Sequence, residues 1–424
     1  MRVLWFTNIP LLPVTRRLQN PNKVTEGWND ALRLALQSYT NLELGVASVS
    51  AIDYEPFEED RTVFYNILIP PQTGTIEAVY RRWLQRSEFH NGINKCLDII
   101  NSFKPDIIHI QGSEGFYGLI VKETSIPVIL SIQGILSVIE KGYLSGYTFN
   151  DILMDTFSMY FIRGASAVHN NLSMKNSACR EREIIRSCSY FTGRTEFDRN
   201  FVSLINSNSS YYHCDRILRP PFYSAEWAPE ALDSHTIYCT TSPAPYKGLS
   251  CLLDACNILK TNGFSNIRLR VGGLIQNSGI WNFIKRKVKV LNLTNEVTWL
   301  GKSSPEMIIS EMKRANVYVL PSYAENSPNS LAEAMLVGVP CVASYIGGVP
   351  SMIIHAKDGL LFPSGDSYSL AGMIAKILRD PLLAGTLSRN ARITAQKRHD
   401  PQKIAATMMN IYSEIIDNSN CARR

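Results

Sequence analysis

Glu325 and Glu333 stand eight positions apart in the stretch LPSYAENSPNSLAEAMLVGVPCVASYIGGVP, Leu320–Pro350. An apolar strand pattern ends at Leu320, and a polar loop covers Pro321–Ser327. A helix is expected next, capped by Ser327, with Pro328 at its first position, where a missing N–H costs nothing. The backbone N–H groups from Asn326 and Ser327 through Asn329 to Ser330 then face whatever lies before the helix. The positive end of the helix dipole favours an anion there. Two carboxylates beside an anion repel it unless they meet hydroxyls on either side of it. A nucleotide-diphosphate sugar has that layout: ribose hydroxyls, diphosphate, hexose hydroxyls. The bland reading is an ordinary helix start with Glu333 on a solvated face, and spacing alone leaves both open.

A second candidate is Lys247 in TTSPAPYKG, Thr240–Gly248, at a strand end before a helix, where a cation can reach a diphosphate. A third is Glu26-Gly27-Trp28, which follows the first strand and opens a helix. Gly27 permits close backbone approach to a ligand, or simply makes a turn.

The elements that must position these residues follow from the apolar pattern. Arg2–Thr7, Leu44–Val49, Asp106–Ile110 and Pro127–Ile132 read as buried strands, and Trp28–Gln37 reads as a helix. The segment Arg219-Pro220-Pro221 interrupts the alternation and is the expected linker. It then restarts with strands at Thr236–Thr241, Arg268–Val271, Val297–Leu300, Val317–Leu320 and Pro340–Ser344. Helices are expected between them at Leu249–Lys260, Pro305–Ala315 and Pro328–Val337. Strand–helix alternation predicts an α/β fold of two doubly wound units, 1–221 and 222–400, with a helix at 401–424 that packs back on the first. Ligands of such units bind at the carboxyl ends of the strands, and a cleft between two units is a natural site.

The stretch Leu320–Pro350 resembles the Glu-x7-Glu signature of retaining glycosyltransferases of the GT-B fold, and is most similar to glycosyltransferase family 4. VYVLPS, EAMLVGVPCVAS and GGVP follow the same pattern. The resemblance implies two Rossmann-like domains facing each other across a cleft. The first glutamate of the motif contacts the donor sugar and the second binds ribose, roles carried to Glu325 and Glu333. The family shows an Arg and a Lys, five apart, before Gly; Lys247-Gly248 fits, but Ser242 stands where the Arg is expected. Arg194, in FTGRTEFDR, is a candidate to supply that cation, or it pairs with Asp198 at i+4. KPDIIHIQGSEG, Lys104–Gly115, resembles the family's strand ending in His. There His109 is a packed strand residue or an acceptor contact, and Gln111 lies closer to the cleft. In SIQG, Ser131–Gly134, Gln133 takes the place of a His beside the reacting sugar; it cannot carry a proton but can hold a hydroxyl or stabilise charge. Gln133, Lys247 and Glu325 are thus the catalytic candidates, with Trp28, His109 and Gln111 on the acceptor side. Retention without a clear enzymatic nucleophile implies front-face attack, the leaving phosphate taking the acceptor proton.

Composition narrows the remainder. The chain has 424 residues, 45% hydrophobic and 19% charged, which excludes a disordered chain. The net charge is +6: up to Pro221 there are 22 basic and 22 acidic residues, and beyond it 21 and 15. No clustered basic face with interleaved aromatics accompanies that excess, so no nucleic-acid partner is expected. No Asp-x-Asp triplet occurs, and no metal or other cofactor is expected. The nine Cys, without Cys-x-x-Cys, read as buried reduced thiols. The apolar N-terminus is broken by Asn8 and two prolines and no run of 18 apolar residues exists, so the expectation is a cytoplasmic chain, with peripheral contact at the inner membrane face. The basic segments Arg81–Arg86 and Lys285–Lys289 could touch anionic headgroups or be solvated faces. The partners expected are a nucleotide sugar, UDP or GDP, and a saccharide or lipid-linked saccharide acceptor. A nucleotide-sugar epimerase on the same fold, or a non-catalytic nucleotide-sugar-binding homologue, is the alternative.

Overall fold

The structure is a computed structural model that describes residues 1–19, 27–69, 79, 89–229, 235–274 and 279–423. It divides into two units.

Unit 1 comprises Met1–Ser137, Asn176–Ile217 and His399–Arg424. Its strands are β1 (Arg2–Thr7), β2 (Glu43–Ser50), β3 (Phe57–Glu59), β4 (Thr62–Leu68), β5 (Ile107–Gln111), β6 (Val128–Ser131), β7 (Tyr190–Gly193) and β8 (Ser210–His213). They form one sheet in the order β3-β4-β2-β1-β5-β6-β7-β8. Among the described residues only the β3–β4 pairing of this sheet is antiparallel. The run RVLWFT is buried from Val3 onward, which is why it is apolar without alternation. The helix Pro401–Arg423 returns the chain to this unit and sets Ile404, Met408, Ile411, Tyr412 and Ile415 among Val3, Trp5, Leu32, Ile107 and Ile129.

Unit 2 comprises Val138–Lys175 and Leu218–Arg398. Its strands are β9 (Thr236–Thr240), β10 (Arg268–Gly272), β11 (Val297–Gly301), β12 (Val317–Leu320), β13 (Cys341–Tyr345) and β14 (Leu360–Pro363). All pair in parallel in the order β11-β10-β9-β12-β13-β14. The order reverses direction between β9 and β12, so the crevice of this sheet opens at the carboxyl ends of those two strands.

The expected division at 221 needs two corrections. The change of unit falls at Ile217/Leu218, and the segment 138–175 belongs to unit 2 although it precedes the linker. Its helix Phe149–Thr156 is tied to the helix Gly279–Val290 by the pair Arg286 Nη2–Asp151 Oδ1 at 2.6 Å. Tyr147 packs on Phe283 with ring centroids 4.3 Å apart. These partners lie more than 120 residues away in the chain, beyond the reach of any local pattern. All nine cysteines are free thiols, seven of them buried. No helix among the described residues is long and apolar enough to cross a membrane.

Candidate active site

Two loops of unit 2 build the centre, one after β9 and one after β12. The first ends in the tight turn Pro245–Lys247 followed by Gly248 at φ +73°. A Cβ on Gly248 would lie 1.9 Å from the Pro321 carbonyl oxygen, so glycine alone lets the loops close on each other. The Tyr323 N–H donates to the Tyr246 carbonyl at 2.7 Å and stitches them together. Across this seam Lys247 Nζ donates to Glu325 Oε1 at 2.7 Å. Ser322 Oγ donates to the same oxygen at 2.8 Å. Burial pulls the Lys247 ammonium down, but the Glu325 carboxylate, with Tyr246, outweighs it and raises its pKa above the usual lysine value. Lys247 is therefore a fixed cation. Ser242 lies on the same loop, where its carbonyl accepts from the Ala244 N–H at 2.7 Å.

The helix after the second loop runs over Asn329–Val337, one residue later than expected. Pro328, not Ser327, is its N-cap, in an extended conformation, which corrects the expected N-cap position. Asn326 and Ser327 are buried before it, while Asn329 and Ser330 are partly exposed. Glu333 is 4% exposed and is not a solvated face. Both its oxygens accept from Arg219, Nε to Oε1 and Nη2 to Oε2, each at 2.6 Å. Burial raises the Glu333 pKa and the guanidinium pulls it back. A ribose hydroxyl reaching Glu333 must share the carboxylate with Arg219 or displace it. Arg219 was read only as part of a linker; a lone arginine 114 residues from its partner carries no spacing signal.

In unit 1 the strand order reverses between β1 and β5. At those ends lie Gln111, the last residue of β5, with Asn8, Glu114 and Gln133 beyond. Gln133 Nε2 donates to the Gln111 carbonyl at 2.8 Å. Glu114, which no motif indicated, accepts from Gly134 N–H at Oε1 and from Asn8 Nδ2 at Oε2, both at 3.2 Å. Burial raises its pKa. A small cavity nearby is lined by Trp28, Gln111, Thr192, Arg194 and Arg216 among others. The Arg216 guanidinium lies 5.1 Å from the Trp28 ring centroid, and the buried Thr192 hydroxyl has no hydrogen-bond partner in the protein. Gly27 opens the helix Gly27–Leu36 that carries Trp28.

Two candidates are buried within unit 1. His109 is fully buried, its Nδ1 2.6 Å from Tyr412 Oη and its Nε2 2.7 Å from Ser131 Oγ. Burial, then the charge of Arg216, pushes its pKa down to about 3, so it is a neutral imidazole packed in the strand, where it also lines the small cavity with Trp28 and Gln111. Arg194 is also buried, its Nη2 donating to the carbonyls of Ile132 and Gln133 at 3.4 and 3.2 Å. It belongs to unit 1, whereas Lys247, Glu325 and Glu333 belong to unit 2. Among the described residues no group of three or more His, Cys, Asp or Glu is placed to hold a metal ion. The segment Arg81–Arg86 lies outside the described residues.

Residues 229–395 match the family model for glycosyl transferases group 1. Among curated proteins, the chain is 29% identical over 138 residues to N-acetyl-alpha-D-glucosaminyl L-malate synthase of Bacillus anthracis, covering 32% of this chain and 36% of that protein. It is 32% identical over 139 residues to the amylovoran biosynthesis glycosyltransferase AmsK of Erwinia amylovora, covering 31% and 33%. The matches thus span about a third of those relatives' length. Solved structures extend the likeness to the whole chain at the level of fold. Sucrose-phosphate synthase from Thermosynechococcus elongatus superposes with a TM-score of 0.72 at 16% identity, over 99% of this chain and 100% of that one. HepE from Anabaena in complex with UDP-glucose does so with a TM-score of 0.65 at 15% identity, over 97% and 99%. The chain therefore has the GT-B fold, and its residues 229–395 match the glycosyl transferases group 1.

Proposed function

We propose that the chain is a retaining glycosyltransferase of the family-4 type. It moves a sugar from a UDP- or GDP-sugar to a hydroxyl of a polysaccharide or lipid-linked oligosaccharide. The observation that carries this reading is the meeting of Lys247 and Glu325 at the carboxyl ends of β9 and β12, where the sheet order reverses. The matched relatives support the substrate class, since AmsK is named for amylovoran biosynthesis and HepE was solved with UDP-glucose.

The chemistry divides among these residues. Lys247 leaves Glu325 for the donor diphosphate, and Glu325, held by Ser322, turns to the hexose hydroxyls. Arg219 supplies the second cation that Ser242 does not. The first turn of the helix, from Asn326 to Ser330, adds backbone donors. The bond from the anomeric carbon to phosphate oxygen breaks as the acceptor oxygen attacks on the same face, and the acceptor proton passes to the leaving phosphate. Gln133 holds a hydroxyl or polarises charge at the acceptor side. These cations offset the leaving charge, so turnover in chelator is expected to equal turnover without it.

The test is direct. A thermal-shift series with UDP- and GDP-sugars should raise the unfolding midpoint with one nucleotide class. NMR of the product linkage should show the donor's anomeric configuration; inversion refutes the retaining reading. Lys247→Ala and Glu325→Gln should each lower kcat at least tenfold, equivalent to about 1.4 kcal/mol. Near-wild-type turnover in both variants would remove this site from the reaction. Formation of an epimeric nucleotide sugar from donor alone would favour the epimerase instead.

A further inference from the structure

The helix Phe149–Thr156 of unit 2 is amphipathic in the reverse sense. Its carboxylates point into the unit: Asp151 accepts from Arg286, and the buried Asp155 accepts from the Val168 N–H at 2.9 Å. Its apolar residues point out. Phe149, Leu153 and Phe157 follow one another at i, i+4 and i+8, a single stripe of a helix. Phe149 is 77% and Phe157 80% exposed. Met154, beside Leu153 on the same helix, and Met159 and Ile162, on the short helix Met159–Ile162 that follows, are each more than half exposed. Six large apolar side chains exposed within the segment Phe149–Ile162 are a concentration that soluble faces avoid unless it is used.

The charges around this stripe indicate what uses it. Arg286, which anchors the helix through Asp151, also places Nη1 3.2 Å from Met154 Sδ. Its helix, Gly279–Val290, carries Lys285, Arg286, Lys287 and Lys289 and no acidic residue. Lys289 lies one turn beyond Arg286, and both Lys285 and Lys289 are exposed, as is the apolar Val290. Arg163 is exposed directly after Ile162. Protruding aromatic and aliphatic tips flanked by lysine and arginine match a bilayer boundary. There the apolar tips enter the acyl region while the cations meet anionic headgroups. A flat partner surface would leave side chains exposed to this degree without a pocket to fill.

We propose that the stripe Phe149–Leu153–Phe157, with Met154, Met159 and Ile162, docks unit 2 of this chain on an anionic lipid surface, the cations Arg163, Lys285 and Lys289 contacting the headgroups. The proposal is independent of the transferase reading, since it is read without donor or acceptor.

The experiment is co-sedimentation of the full chain with vesicles of phosphatidylglycerol and phosphatidylethanolamine, against vesicles of phosphatidylcholine alone. The wild type is expected to bind the anionic vesicles, more weakly in 0.5 M salt. The double variant Phe149→Ser/Phe157→Ser should lower the vesicle partition coefficient at least tenfold while keeping the wild-type thermal midpoint, since both side chains are exposed. Lys285→Glu/Lys289→Glu should reduce binding to anionic vesicles only. No binding by the wild type, or unchanged binding by the Ser variant, overturns the proposal. So does a dimer in light scattering that dissociates on Phe149→Ser/Phe157→Ser without any vesicle binding, which would assign the stripe to a second copy.

Discussion

At the scale of single residues, the most consequential contact is Arg219 on Glu333. A carboxylate buried on a helix is costly unless paired, and here both oxygens are held by one guanidinium. Arg219→Ala should leave Glu333 buried without its cation and cost on the order of 2 kcal/mol at neutral pH. The sign of its pH dependence follows from the Glu333 pKa, already raised by burial and raised further without Arg219. A carboxyl whose folded pKa lies above its unfolded value favours folding below the unfolded value and loses that advantage as pH rises through the folded one. The gap in thermal midpoint between variant and wild type should therefore be widest near pH 8 and narrow toward pH 4.5, the ordinary glutamate value. A gap that stays constant over this range would mean that the carboxylate is not the source of the loss.

At the scale of elements, what the sequence reveals depends on whether a contact is local. The strands at Arg2–Thr7 and Val317–Leu320 were legible because strands buried on both faces must be apolar throughout. The positions of Lys247 and Glu325 were legible because each follows such a strand. The Phe149–Thr156 helix was not, because its polar face is turned inward to Arg286, and an inverted pattern reads as a loop. The helix start shifted from Pro328 to Asn329 because proline's fixed φ also suits an extended N-cap. Arg219 was hidden by chain distance alone. The seam between the loops after β9 and β12 is the element that makes the site, and Gly248 is its hinge point. Gly248→Ala places a side chain in the left-handed region, about 1–2 kcal/mol of strain, and presses a Cβ on the Pro321 backbone, which cannot swing away as a side chain would. The loops should part, Lys247 should lose Glu325, and the thermal midpoint and the response to donor should fall together. A variant with the wild-type midpoint and full donor response would show that the two loops need not touch.

At the scale of the whole molecule, the chain crosses between its units more than once, and its last helix completes the first. The link is a buried polar chain: Trp5 Nε1 donates to Tyr412 Oη at 3.0 Å, Tyr412 Oη meets His109 Nδ1, and His109 Nε2 meets Ser131 Oγ. With Nδ1 as acceptor, the tyrosine hydroxyl donates to it while accepting from Trp5, Gln111 Nε2 approaches the same nitrogen at 3.2 Å, and the Nε2–H donates to Ser131. This arrangement needs a neutral imidazole. The folded pKa of about 3 lies below the ordinary value of 6.5, so the unfolded chain takes up a proton that the folded one refuses. The contribution to stability is present above 6.5 and is lost as pH falls from there toward 3. Tyr412→Phe keeps the packing but leaves the Trp5 N–H unpaired, at a cost of about 1–3 kcal/mol. Because the helix Pro401–Arg423 packs into the core of unit 1, hydrogen exchange should localise that loss. Amides of β1 and β5 should lose protection in Tyr412→Phe, and in the wild type on acidification, while those of β9 and β12 keep theirs. Equal loss in both sheets would mean that the units unfold as one cooperative body and that the closing helix stabilises the chain as a whole.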